Sequence, residues 1–272
     1  MSACNLCGGT EWQFLEKAAG STRVVQCACG LAFVVPQPAR PEIEHVYDQG
    51  YYSSWEGQER RRTRIWRHRI ERLQMPTGRP GRLLDVGCGT GTFLQVARRR
   101  GWEVVGTELS RHGADTASKD GFQVHTGEVW EVHLPSDMFD VVSCWHVIEH
   151  VTDPRRFLAE CYRVMRPGGT LVLATPNLDD RIFRAAYLLA RRRRVRLFEP
   201  GERELHLFFF SASTLERLAR VVGFERVGLG FDRGAAATRG KVVVNEIAYA
   251  WYCLSGKNWG MALELTASKP EE

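Results

Sequence analysis

Short apolar runs and longer amphipathic ones alternate along this chain. Runs of strand length and character lie at 82–86, 103–108, 122–126, 139–144 and 170–175. They are too short for helices, and their alternation with helical segments marks them as strands. The stretch before them reads differently. Residues 59–74 carry Trp66, Ile70 and Leu73 at helical spacing with arginines elsewhere, and 75–81, rich in proline and glycine, breaks that helix. Asp153-Pro154 opens another helix with a cap residue and a proline in its first turn, and Pro167-Gly168-Gly169 is expected to end it. Ser211 or Ser213 opens a helix over 214–222, closed by Gly223, and the last strands are expected at 224–231 and 261–267. The alternation predicts an α/β fold, a doubly wound and mostly parallel sheet with helices on both faces.

Composition narrows the picture little. The 272 residues are 44 % apolar and 25 % charged, with a net charge of +5, which is ordinary for a globular protein. No apolar run approaches the roughly 20 residues that span a bilayer, and Met1-Ser2-Ala3-Cys4 does not open a signal segment. A cytoplasmic location is expected. Eight cysteines then point to thiols or metal rather than disulfides.

The strongest chemical signal is Leu83-Leu84-Asp85-Val86-Gly87-Cys88-Gly89-Thr90-Gly91-Thr92-Phe93. A strand runs into a turn of three glycines and then into an amphipathic helix, and such a turn at the carboxyl end of a parallel strand binds nucleotides. The pattern is neither G-x-G-x-x-G nor a phosphate loop ending in G-K-[ST]. A second strand ends at Glu108, where a carboxylate can accept the two hydroxyls of a ribose. This D-x-G-x-G-x-G form with its downstream acid resembles the class I S-adenosylmethionine (SAM)-dependent methyltransferases. The resemblance covers roughly residues 59–267 and implies a Rossmann-like sheet of seven strands, the last antiparallel. It implies cofactor contacts from Asp85, Gly87, Cys88, Gly89, Gly91, Phe93, Glu108 and Leu109. It adds Glu128 and Val129 after the third strand, where most members have aspartate, and Trp145 at the end of the fourth.

At the N-terminus, Cys4-x-x-Cys7 and Cys27-x-Cys29 stand on glycine turns, 19 residues apart. Two close cysteine pairs joined by a hairpin-length segment suit a tetrahedral thiolate zinc site. With the aromatic text that follows, residues 1–35 resemble the zinc-ribbon module in front of many bacterial methyltransferases. That module usually has C-x-x-C in both halves; here Gln26 stands where one cysteine belongs, and Cys27 must serve from a shifted position. A metal-free remnant is the alternative. Residues 36–58 read as an aromatic linker, and 59–272 as the methyltransferase domain with a lid insertion at about 178–210.

Candidate chemistry beyond the cofactor falls on His146, Glu149 and His150, which share one face if the segment is helical, and on His206. A histidine could be the general base on an acceptor hydroxyl. Alternatively Glu149, His150 and His206 hold a divalent metal, or the histidines only pack. The Glu-His pair resembles that of ubiquinone-pathway O-methyltransferases and small-RNA 2′-O-methyltransferases; the latter have glutamate in place of His146. The segment 181–196 has seven arginines and no acid, consistent with a solvated lid end, an anionic acceptor or peripheral membrane contact. The expected activity is methyl transfer to oxygen on a small molecule or glycan intermediate. The rivals are an RNA methyltransferase and a non-catalytic scaffold; against RNA, there is no [DN]-P-P-[YF] motif.

Overall fold

The computed structural model describes residues 3–17, 21–47, 51–52, 59–73, 80–198, 205–235 and 238–271. Seven strands form the main sheet: β4 (Arg82–Val86), β5 (Glu103–Glu108), β6 (Gln123–Thr126), β7 (Phe139–Trp145), β8 (Met165–Pro176), β10 (Glu225–Phe231) and β11 (Ala262–Ser268), in the order β10-β11-β8-β7-β4-β5-β6. The pairs β4–β5, β5–β6, β4–β7 and β7–β8 are parallel, and β11 is antiparallel to both its neighbours. All seven residues of β7 are buried, which explains its lack of polar alternation. Successive strands step to one side from β4 and then to the other. The reversal between β4 and β7 is the switch point at which open α/β sheets form their crevice.

Helix α2 (Glu59–Arg72) lies on α3 (Thr92–Arg98), while α4 (Arg111–Lys119), α5 (Pro154–Val164) and α7 (Ala212–Val222) cover the sheet. Local signals set their ends. Ser110, Asp153 and Ser211 cap α4, α5 and α7 with their side chains, and Gly223 stops α7 with φ 114°. One expected boundary fails. Strand β8 begins at Met165, so Pro167-Gly168-Gly169 lies inside it rather than ending α5. The Met165 backbone is already extended, and Gly169 lets the strand run close to the carbonyls of Phe139 and Asp140.

A second sheet has the order β1-β2-β3-β9. The ribbon supplies β1 (Trp12–Lys17), β2 (Arg23–Cys27) and β3 (Ala32–Val35), and the main domain supplies β9 (Phe208–Phe209). Leu31 and Phe33 of the ribbon share one hydrophobic core with Phe208, Phe210 and Leu215. The ribbon strands are therefore fused to the larger domain by a common sheet and core. The aromatic stretch 36–58 contains helix α1 (Arg40–Val46) and a helical Tyr51-Tyr52. The expected lid insertion contains α6 (Arg181–Arg191), which lies against α8 (Arg239–Ser255).

Candidate active site

A cavity of about 410 Å³ opens at the carboxyl ends of β4, β5 and β7. Its size is that of a site for a cofactor-sized ligand. Of the sequence-expected cofactor residues, Asp85, Gly87, Cys88, Gly89, Phe93, Glu108, Leu109, Glu128, Val129 and Trp145 all line it. Gly91 does not. It is the N-cap of α3, with φ 79°, and a β-carbon there would press on Ala117 and Phe122. Its role is helix packing. Gly87 has φ 72°, and a β-carbon would come within 2.5 Å of Val147 Cγ2, so only glycine brings this backbone to the cavity wall.

The two carboxylates are buried. Glu108 Oε2 accepts from the Gly89 amide at 2.8 Å and Oε1 from the Ser110 amide at 2.9 Å. Burial raises its pKa; the bonds from Ser110, Gly89 and the Tyr52 hydroxyl oppose that rise. Asp85 accepts from Ser143 Oγ at 2.7 Å, and burial pushes it up to about 7 despite that bond. Tyr47, Tyr51 and Tyr52, with Ile43 of α1, form the opposite wall. The sequence reading took these residues for a linker.

The turn after β7 builds the histidine side of the cavity. Residues 146–150 are a bend and turn, not a helix. His146 has φ 57°, an uncommon conformation for a non-glycine residue and one that clusters at functional sites. His146 and His150 consequently approach Glu149 from different directions. Nδ1 of His146 is 3.4 Å from Glu149 Oε1, and Nε2 is 3.2 Å from Asp232 Oδ2. Asp232, at the end of β10, also takes Arg69 of α2 at 2.5 Å, and the Arg69 guanidinium lies over the Trp145 ring at 4.2 Å. Burial alone would lower the His146 pKa, but Asp232 and Glu149 raise it to about 9. Burial would raise Asp232 and Glu149; Arg69 and His146 instead hold Asp232 well below the usual carboxylate range, and His146 with its neighbours holds Glu149 at about 2. His146 is therefore an imidazolium at neutral pH and is not a free base. Nothing in the sequence pointed to Arg69 or Asp232.

His150 behaves oppositely. Burial lowers its pKa, and its Nδ1 lies 2.9 Å from the Leu205 carbonyl. A neutral ring donating there keeps a lone pair on Nε2, which lies 3.8 Å from Glu149 Oε1. The other Glu149 oxygen accepts from Thr175 Oγ1 at 2.9 Å, and buried Oε1 is left to face the His146 and His150 rings at 3.4 and 3.8 Å. His206 joins this pair: one ligand atom from each of Glu149, His150 and His206 lies within 4.8 Å of the others. His146 and His150 also line the cavity, so the cluster adjoins the cofactor space. Among the described residues, none of 178–198 lines it.

In the ribbon, the four sulfurs of Cys4, Cys7, Cys27 and Cys29 also lie within 4.8 Å of one another. Cys4 and Cys29 are 3.6 Å apart, and Cys7 and Cys27 3.5 Å. A tetrahedral zinc with bonds of about 2.3 Å separates its sulfurs by about 3.8 Å, so the thiol set fits zinc. The shortened C-x-C pair reaches because Cys27 ends β2 while Cys29 stands on the turn after it. Gln26 takes no part; its side chain donates to the Gly30 carbonyl.

Comparisons with known proteins agree with this geometry. A family model described as a methyltransferase domain matches residues 58–228, more than half of the chain, and the protein belongs to that family of SAM-dependent methyltransferases. Ubiquinone biosynthesis O-methyltransferase from Psychrobacter arcticus is 29 % identical over 163 residues, covering 56 % of this chain and 63 % of the relative. The enzyme of that name from Methylococcus capsulatus is 33 % identical over 171 residues, covering 59 % and 70 %. The match thus spans a little under two thirds of the first of these relatives. Among solved structures, a SAM-dependent methyltransferase from Thermotoga maritima superposes with a TM-score of 0.58 at 22 % identity, covering 84 % of this chain and 99 % of that one. A SAM-dependent methyltransferase from Archaeoglobus fulgidus gives 0.54 at 22 %, covering 80 % and 100 %. These similarities show the fold. The family makes SAM the cofactor, and the buried carboxylates, glycine turn and aromatic wall of the cavity suit it.

Proposed function

We propose that this protein methylates a hydroxyl oxygen of a small-molecule or glycan intermediate, with Glu149, His150 and His206 receiving the acceptor. The observation that carries this reading is the convergence of those three side chains beside the cofactor cavity, with a lone pair held on His150 Nε2. Bound SAM supplies a methyl already activated by its sulfonium. The chain then has to align the acceptor oxygen and take its proton. His150, neutral at working pH, can take that proton; Glu149 stabilises the resulting imidazolium. The two curated relatives named above, both ubiquinone biosynthesis O-methyltransferases, support an oxygen acceptor.

A second reading is favoured by one observation. Glu149 Oε1 is buried, and its nearest cationic neighbour, His146 Nδ1, stands only at 3.4 Å. A divalent cation could satisfy it, with His150 Nε2 and His206 as further ligands. Octahedral Mg²⁺ bonds of about 2.1 Å bring neighbouring ligand atoms to about 3 Å, so Glu149 Oε1 and His150 Nε2, 3.8 Å apart, would close by roughly an ångström. The Nδ1 bond of His150 to a carbonyl is the usual orienting contact for a ligating histidine. We assign the four ribbon thiolates to a structural zinc, since four sulfurs leave no open position for chemistry.

Catechol serves as the acceptor probe, because its paired hydroxyls suit either a base or a cation. His150→Ala is expected to lower turnover by about 10²–10⁴-fold with little change in S-adenosylhomocysteine (SAH) affinity. A matching loss on adding a chelator, restored by Mg²⁺, would select the metal reading. Turnover unchanged in both His150→Ala and His206→Ala would remove both.

A further inference from the structure

The thiol cluster and the histidine cluster are far apart in sequence, yet one short segment is bonded to both. Residues 205–209 run between the ribbon and the turn after β7. On one edge, Phe208 and Phe209 pair with Phe33 and Ala32 of β3, and the Val34 amide donates to the Leu207 carbonyl at 2.9 Å. On the other edge, the amides of Leu207 and Phe208 donate to the Glu149 carbonyl at 2.7 and 3.1 Å. The Leu205 carbonyl fixes the His150 ring, and His206 lies between these bonds. Two further ties clamp the metal loops themselves. Asn5 Nδ2 donates to Asp153 Oδ1 at 3.1 Å, and Arg217 Nη1 donates to the Cys29 carbonyl at 3.0 Å. Asp85 and Glu108, in contrast, take their hydrogen bonds from Ser143, Ser110, Gly89 and Tyr52, all outside the ribbon.

We infer that metal loading of the ribbon sets the geometry of the acceptor cluster. The four cysteines fix the two turns, the turns fix β2 and β3, and β3 holds residues 205–209 against Glu149. Without metal the two turns lose their common tie, so β2 and β3 are held only by the core they share with the main domain, and β3 is the strand of the second sheet that pairs with β9. His206 and the Leu205 carbonyl then leave their places, while the cofactor half of the cavity keeps its own bonds. The ribbon is a positioning element of the active site. Its effect on turnover rests on the function proposed above; the structural coupling rests only on these backbone bonds.

Cys7→Ser tests this in the full chain. Cys7 is exposed whereas Cys4 and Cys27 are buried, so the change removes a ligand at little cost to the core. The readouts are zinc content, amide exchange, SAH affinity by calorimetry and the His150 tautomer by ¹⁵N NMR. Wild type is expected to hold one zinc per chain, and the variant to lose it. Exchange at Val34, Leu207 and Phe208 should rise by about tenfold or more, and the single Nδ1–H tautomer of His150 should give way to a mixture. SAH affinity should stay within about twofold. Arg217→Ala, which leaves all four thiols in place, should produce a weaker version of the same pattern. Three results would overturn the inference: a wild-type protein without zinc, zinc loss with residues 205–209 and His150 unchanged, or SAH affinity lost in parallel, which would mean general unfolding. Inactivity of wild type toward catechol would count against the proposed function but leave these readouts intact.

Discussion

Asp232→Asn isolates the charge network that holds His146. In the native protein Asp232 balances both Arg69 and His146, which are joined to it from α2 and from the turn after β7. The His146 pKa is raised from 6.5 to about 9, a shift of about 2.5 units, or about 3 kcal/mol at 1.36 kcal/mol per unit. The side chain is 31 % exposed, so screening by water reduces this to about 2 kcal/mol. Below pH 6.5 the folded and unfolded chains both carry the proton, and the full contribution is present. As pH rises toward 9 the unfolded chain loses its proton first, and the contribution is lost. The substitution removes most of this pH dependence, because only Glu149 still supports the charge. It also leaves the Arg69 guanidinium, 5 % exposed, without its counter-charge, which costs about 3–5 kcal/mol. Urea denaturation of both proteins at pH 6, 7.5 and 9.5, with the His146 ring titrated by NMR, measures both effects. Parallel pH curves for the two proteins, or a native His146 midpoint near 6.5, would refute the reasoning.

Two further predictions concern the cofactor half. Asp85 is raised from 3.8 to about 7, so the folded state retains a proton that the unfolded chain releases, and stability falls as pH rises through that window. Asp85→Asn should therefore be more stable at pH 8, by up to about 4 kcal/mol, while binding SAH more weakly; an unchanged melting temperature would contradict this. Gly87→Ala forces a β-carbon into left-handed backbone and against Val147, a loss of roughly 2–4 kcal/mol together with SAH binding. Thermal melts with and without SAH read both.

The cofactor half was legible because it is local. Asp85 to Phe93 is one strand, turn and helix, and Glu108 closes the neighbouring strand, so a short stretch of sequence carried the family resemblance that implied these contacts. Most of the acceptor half is assembled across the chain. Arg69 and Asp232 are separated by 163 positions and sit in an arginine-rich helix and at a strand end, where a solvated charge is the ordinary reading. His146, Glu149 and His150 were found as residues, but through a helical spacing the chain does not adopt. They converge because a left-handed turn places His146 on one side of Glu149 and His150 on another. The ribbon was visible in its cysteines; its fusion to the main domain was not, because β9 is only two residues long and carries no pattern of its own.

Tyr52 gives the cavity a further property. Its hydroxyl, with the Gly89 and Ser110 amides, occupies the Glu108 carboxylate, so this buried acid takes its partners from the chain itself. Any ligand that engages Glu108 must exchange partners with a group the chain itself provides. Binding there is a replacement, and its free energy is the difference between two well-made sets of hydrogen bonds. A site of this kind can select sharply for the shape of what enters while gripping it loosely. Such a balance suits an enzyme that must release a spent cofactor almost identical to the fresh one.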